Sequence, residues 1–331
     1  VVDHGETSRA QFRAYAGNGT TIIDRQQSLP PLEVGSWLSD PAGYVADAGL
    51  RDTVNVALTL GQPLLVTGEP GTGKTDLARS IAHELALPAP LVFNTKSTSA
   101  ARDLFYRYDS LRHFHDAQFQ ESATTTESYI TYEAFGLAIL SAMPAAAADA
   151  YLPESMRGRG PVRSVVLIDE VDKAPRDLPN DVLNEIEQMS FSVAETRNSF
   201  AADPAFKPVV VFTSNSEKSL PDAFLRRCVF YHIPFPDRSR LREIVARRLP
   251  PEARFSPALI EHAITHFERI RELGMRKKPS TAELLAWVRV LAKLNIDVED
   301  LKPGEAEVVA MTYAILAKGR EDIALLRQQL G

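Results

Sequence analysis

Cysteine is almost missing from this sequence. The single copy, Cys228, makes an internal disulfide framework impossible and sets the expectation of a reducing, cytoplasmic compartment. No apolar run approaches the roughly eighteen residues that a membrane helix needs, so no spanning segment is expected. The opening stretch VVDHGETSRAQF has no basic flank leading into an apolar core and does not read as a secretory signal. It also starts without Met, as expected of a processed or trimmed chain. Positive charge is in deficit: 37 Lys and Arg against 43 Asp and Glu leave a net charge of −6. That balance argues against generic, charge-driven binding to nucleic acid. No internal repeat is evident.

What is present is a chain of 331 residues, long enough for one large core and a smaller second domain. Residues 1–40 are polar, include Pro30 and Pro31, and read as an extended or partly disordered arm anchored by Trp37. Apolar spacing over 45–60 suits a helix. Short apolar runs follow at 63–67, 91–94, 164–168, 209–213 and 229–233. Strands that are apolar at nearly every position predict burial on both faces, as in a parallel sheet covered by helices. Their alternation with helical stretches points to a doubly wound α/β domain over 41–236.

Past Pro236 the pattern becomes helical, and a domain boundary is expected near Asp237, leaving 237–331 as an all-helical domain. Ser256-Pro257 offers an N-cap hydroxyl followed by Pro at the first helical position. Ile260, Ala263, Ile264, Phe267 and Ile270 then recur on one face, and Gly274 reads as the stop. Ser280 and Glu283 have capping-box spacing ahead of Leu284, Leu285, Val288 and Leu291. Two further helices are expected at about 306–317 and 321–330. Within the first domain, residues 97–163 read as an insert. Its Ala-rich piece 144–151 and Gly/Arg-rich piece 156–163 look like a mobile connection.

The chemistry concentrates in four places. GEPGTGKT, from Gly68 through Glu69, Pro70, Gly71, Thr72, Gly73 and Lys74 to Thr75, fits the P-loop pattern. It follows a strand and opens a helix, which a chance Gly-rich turn would not be required to do. The glycines let backbone N–H groups face phosphate, and the helix aims its positive end the same way. Lys74 can reach the β- and γ-phosphates, and the Thr75 hydroxyl can ligate Mg²⁺. The second place is Asp169-Glu170, which closes a buried strand with two carboxylates. Asp169 fits the Mg²⁺-side acid, and Glu170 is the candidate that polarises an attacking water. Third, VVVFTSN delivers Asn215, an amide placed to bond the γ-phosphate or the lytic water. Fourth, LPDAFLRRC presents Arg226 and Arg227, either of which could close a neighbouring subunit's site.

In this order, residues 68–75, Asp169-Glu170, Asn215 and Arg227 resemble the Walker A, Walker B, sensor 1 and arginine finger of AAA+ ATPases. GEPGTGKT, LIDEVDKAP and TSNSEKSLPDAFLRRC closely resemble the MoxR branch. The likeness covers about residues 41–236, and the helical tail is consistent with an AAA+ lid. The resemblance implies a five-stranded parallel sheet, ATP and Mg²⁺ as cofactors, and hydrolysis to ADP and phosphate. It also implies a homo-oligomeric ring, hexameric, with nucleotide at the subunit interfaces. It favours Arg227 over Arg226 as the finger, because related ATPases place it directly before a residue like Cys228. One departure stands out: the expected sensor 2 arginine is missing from the sequence RKKPST, where Lys278 either substitutes or the contact is absent.

Two readings stay open at this level. Phe105, Tyr106, Tyr108, His113, Phe114, His115 and Phe119 either form the insert's own core or touch a substrate, as insertions here do in the MoxR branch. His113 and His115 have no acid or thiol cluster to support a metal assignment. The function is expected to be ATP-driven remodelling of a client protein. MoxR relatives commonly work beside a partner with a von Willebrand factor A domain. A nucleotide-dependent switch or scaffold in a defence or signalling assembly is the alternative. A nucleic-acid motor or loader is disfavoured by the acidic balance.

Overall fold

The computed structural model describes residues 40–119, 125–216, 220–249 and 256–330. The expected arm over 1–40, Trp37 included, lies outside the described residues except for Asp40. Two compact units emerge: Ala46–Pro234, and Phe235 onward together with the segment ending at Val45.

The first unit carries β1 (Leu64–Gly68), β2 (Leu91–Asn94), β3 (Tyr106–Tyr108), β4 (Ile130–Tyr132) and β5 (Val165–Asp169). Beyond these come β6 (Ser190–Val193), β7 (Asn198–Ala201), β8 (Val209–Ser214) and β9 (Val229–Ile233). Five of them form a parallel sheet in the order β2-β5-β8-β1-β9, as expected of the α/β class. Its three central strands are largely apolar and buried at nearly every position, and β5 and β8 are rich in Val. The edges differ: β2 and β9 alternate, leaving Val92 and Phe230 exposed. An edge strand has a neighbour on one side only, so double-sided burial holds for the interior of the sheet.

The helix Ala48–Leu60 packs on β9, with Asp47 as its N-cap and Gly61, in the left-handed region, as its C-cap. The helix Lys74–Glu84 buries Leu77, Ala78, Ile81 and Ala82 and packs against β1, β5 and β8. This order of strands has a consequence for chemistry. It sets the carboxyl ends of β5, β8 and β1 side by side, where an open α/β sheet binds its ligands.

Two antiparallel ribbons, β3-β4 and β6-β7, flank the sheet and share an aromatic cluster. Phe105 lies 5.4 Å from Phe191 and 5.1 Å from Phe135, and Tyr151 lies 4.8 Å from Phe200, between ring centres. Gly136 permits this packing, because a Cβ there would fall 2.0 Å from the Phe105 carbonyl oxygen. The insert's aromatic run therefore divides. Phe105 and Tyr106 are buried core, whereas Phe114 is 64% exposed on the helix Ser110–Phe119. The Ala-rich piece also departs from the expected loose connection. It forms the helix Ala145–Ala148, and Ala148 and Leu152 enter the core because small and branched apolar groups fill space there.

The second unit is helical: Arg238–Arg248, Pro257–Glu272, Thr281–Leu294, Glu305–Leu316 and Arg320–Leu330. Ser256 caps the second of these through the Leu259 N–H at 3.0 Å. The Ser280 N–H donates to the Glu283 carboxylate at 2.7 Å, and the Glu283 N–H returns a bond to the Ser280 hydroxyl at 3.4 Å, completing the capping box. Ala263, Ile264, Phe267, Ile270, Leu284, Val288 and Leu291 fill the core as their spacing predicts. The Pro257–Glu272 helix ends before Gly274, on Leu273 in an extended conformation. Buried polar groups pair: Trp287 Nε1 donates to Thr312 at 2.8 Å, and His266 Nε2 meets the Tyr313 hydroxyl at 2.9 Å. Burial holds His266 below the ordinary histidine range.

Candidate functional site

The loop between β1 and its helix is built by glycines in left-handed backbone. Gly71 and Gly73 have φ of 76° and 88°, and Gly68 has 152°. A Cβ on Gly68 would stand 2.7 Å from the Ile233 carbonyl oxygen, so only glycine lets β1 turn out beside β9. Lys74 follows at the first helical turn and is buried, at 7% exposure. Its Nζ donates to the carbonyls of Gly68 at 2.8 Å and Glu69 at 3.0 Å, folding the ammonium over the loop. Burial lowers its pKa, while Asp169, Asp172 and Glu170 pull it back up.

Thr75 connects the loop to the sheet. Its hydroxyl lies 3.1 Å from each carboxylate oxygen of Asp169, which ends β5. A second hydroxyl reaches the same acid: Thr213 on β8 donates to Asp169 Oδ1. Thr213 also accepts the Glu170 N–H at 2.9 Å. Glu170 itself sits in left-handed backbone, φ 55° and ψ 49°, an uncommon state for a residue with a side chain. The turn lifts its side chain off the strand end, where Lys173 pairs with it. Residues 68–75, Asp169 and Glu170 thus converge at the carboxyl ends of β1, β5 and β8.

The remaining expected residues are placed differently. The Asn215 backbone N–H donates to Asp172 at 3.2 Å, and the residue is exposed beside that convergence. Arg227 is exposed and pairs with Glu187, with a further bond to the Ala223 carbonyl at 3.3 Å. Arg226 is exposed as well. In the helical unit, Lys278 is exposed on the loop ahead of the helix Thr281–Leu294. Buried Asp322 fixes that loop by accepting the Arg276 N–H at 2.9 Å.

These donors fit a nucleotide triphosphate with a hard divalent cation. The loop supplies backbone N–H groups, a buried ammonium and a helix N-terminus for phosphate. Thr75 and Asp169 supply two oxygen ligands, and Mg²⁺ takes few from protein, the rest coming from phosphate and water. Among the described residues no cluster of three or more His, Cys, Asp or Glu could hold a metal by itself. No helix among them is long and apolar enough to cross a membrane.

Residues 63–228 match the family model of the AAA domain, dynein-related subfamily. The chain belongs to that AAA family. Over 65 residues it is 38% identical to RuvB-like helicase 1 of Drosophila pseudoobscura pseudoobscura, a stretch covering 18% of this chain and 14% of that protein. Two solved RuvB mutants from Thermotoga maritima are similar at 16% identity. One covers 80% of this chain and 67% of its own at a TM-score of 0.45, the other 81% and 67% at 0.43.

Four residues of this AAA domain's site escaped the sequence reading: Thr213, Asp172, Lys173 and Glu187. Thr213 carried a usable signal, since it stands two residues before Asn215 and is the first hydroxyl after four apolar residues, 209–212, on its strand. Glu187 carried none, because its helix meets Arg227 only through the fold.

Proposed function

We propose that this AAA-family chain is a Mg²⁺-dependent ATPase of the MoxR type that works as a hexameric ring and remodels or matures a partner protein. The observation that supports it best is the bridge from Thr75 to Asp169, which joins the phosphate loop to the strand-end acid. Lys74 and the loop N–H groups would hold the β- and γ-phosphates. Thr75 and Asp169 would hold Mg²⁺, which neutralises charge on the phosphates when bound. Glu170 would take a proton from the attacking water, and Asn215 would orient that water or the γ-phosphate. Arg227, exposed in one copy, would reach the site of the next. The partner would carry a von Willebrand factor A domain, and the site of action would be cytoplasmic.

The switch or scaffold reading differs in rate and not in site. Helicase activity is not carried over from the curated relative: only 14% of that protein aligns, and this chain's net charge is −6. Steady-state phosphate release, measured with and without candidate partners, separates the readings. Remodelling predicts a rate that a partner raises and a ring whose size depends on ATP. A chain that assembles on ATP, turns over almost nothing and ignores partners would establish the switch instead.

A further inference from the structure

At the end of β5 opposite Asp169, the sheet unit holds a cavity of about 220 Å³. Its walls are mostly apolar, with Pro88, Leu91, Leu152 and Met156 among them. Three serines interrupt that lining: Ser155, exposed to water, and two buried ones, Ser141, which ends the helix Ala134–Ser141, and Ser164, just before β5. These last two are 9% and 3% exposed, and neither side-chain oxygen has a hydrogen-bond partner among the described residues. Their main chains are already committed. The Ser141 carbonyl accepts the Val162 N–H at 2.7 Å, and the Ser164 carbonyl accepts the Val209 N–H at 2.9 Å. The anchoring fixes both residues on the cavity wall; each oxygen is sealed where it stands and would meet a ligand by rotation about its Cα–Cβ bond. A buried hydroxyl without a partner is destabilising, and two on one cavity form a polar spot that a bound head group would satisfy.

The outer wall comes from the Gly/Arg-rich piece that the nucleotide chemistry leaves unused. Gly158 and Gly160 have φ of 70° and 69°, and a Cβ on either would meet nothing within 4 Å. They serve the turn and not close packing. Arg157 Nε donates to the Leu152 carbonyl at 2.8 Å and the Gly158 N–H reaches Asp149 at 3.2 Å, tying down the start of the turn, while the Val162 N–H bond to Ser141 ties down its far side.

We propose that this cavity binds a small neutral amphiphile: an apolar body with one hydrogen-bonding head seated on Ser141 and Ser164. Size sets the body. A dry cavity of about 150 Å³ accepts benzene, so this one accommodates a single substituted ring or a chain of similar bulk. Charge sets the head. Ser141 lies at the carbonyl end of its helix, which disfavours an anion, and the one charged lining residue, Arg159, is exposed to water. The site is separate from the phosphate loop. Five strand residues at about 3.3 Å each put Ser164 roughly 16 Å from Asp169. The ligand therefore binds together with nucleotide and braces β5, the strand that carries Asp169.

Carbon-13 methyl NMR of methionine in the full chain tests this, with phenol as the probe and benzene as its headless control. Met156 is one of 5 methionines and lines the cavity, so its methyl signal reports occupancy directly. Phenol should shift it saturably, with or without MgATP, and bind more tightly than benzene. Ser141→Ala and Ser164→Ala should each weaken phenol about fivefold, the worth of one neutral hydrogen bond, and leave benzene unchanged. Both variants remove an unsatisfied group, so both should fold and melt no lower than the parent. The proposal fails if Met156 does not move up to the solubility of phenol, as it would if water alone fills the cavity. It fails equally if benzene matches phenol, if the variants bind phenol as the parent does, or if MgATP expels it.

Discussion

Glu170→Gln should bind MgATP with the affinity of the parent and lose turnover by about 10²–10⁴, the range for a positioned acid–base group. Binding should survive because the substitution leaves Lys74, Thr75 and Asp169 in place, with Thr75 still 3.1 Å from the acid. Turnover should not, because an amide of the same shape accepts no proton. The backbone argues for the same division of labour. Glu170 is held in left-handed conformation by its N–H bond to Thr213, a bond the side chain does not make. Gln would therefore inherit the position without the basicity. Its pair with Lys173 is exposed at the surface, where solvent screens it, so losing that pair changes stability little. Fluorescent-nucleotide titration and phosphate release measure the two halves; unaltered hydrolysis would remove Glu170 from this role.

Arg227→Ala should lower turnover by about 10³–10⁵ in the assembled ring, the range for an arginine finger, equivalent to roughly 4–7 kcal/mol of barrier. The pair with Glu187 does not prevent this use. Both side chains are about half exposed, at 46% and 55%, so opening the pair costs about 1 kcal/mol at most. The gain in the transition state exceeds that several-fold. Action across an interface makes a sharper expectation. Mixed rings of Glu170→Gln and Arg227→Ala subunits should hydrolyse ATP, since an intact Glu170 then meets an intact Arg227 from its neighbour. The mixture should exceed the sum of its components. A sum with no excess would place Arg227 on its own subunit's chemistry or on none.

Much of this architecture could be read from residues because local and global signals agreed. The Val-rich β5 and β8 are central strands, and Ser280 with Glu283 forms the capping box that their spacing announces. The phosphate loop was legible for a related reason: Gly68, Gly71 and Gly73 occupy backbone states that other residues avoid. What could not be read depends on strand order. Thr213 reaches Asp169 because β8 lies next to β5, and nothing local reports that neighbour. Glu187 meets Arg227 for a comparable reason, across 40 residues of chain. The aromatic insert was ambiguous since ring side chains suit cores and surfaces alike, and the fold uses them as both. The cavity between Ser141 and Ser164 was invisible, as a missing partner is a property of packing and leaves no pattern in sequence.

The claim beneath all of this is that residues 68–75 with Asp169 form a working MgATP site. Phosphate release from ATP by the purified chain, alongside Lys74→Ala and a magnesium-chelated control, tests it most directly. The account predicts measurable turnover in the parent and loss of both nucleotide binding and turnover in Lys74→Ala. It also predicts that turnover stops when the metal is chelated. A Lys74→Ala protein that still binds and hydrolyses ATP like the parent would contradict it.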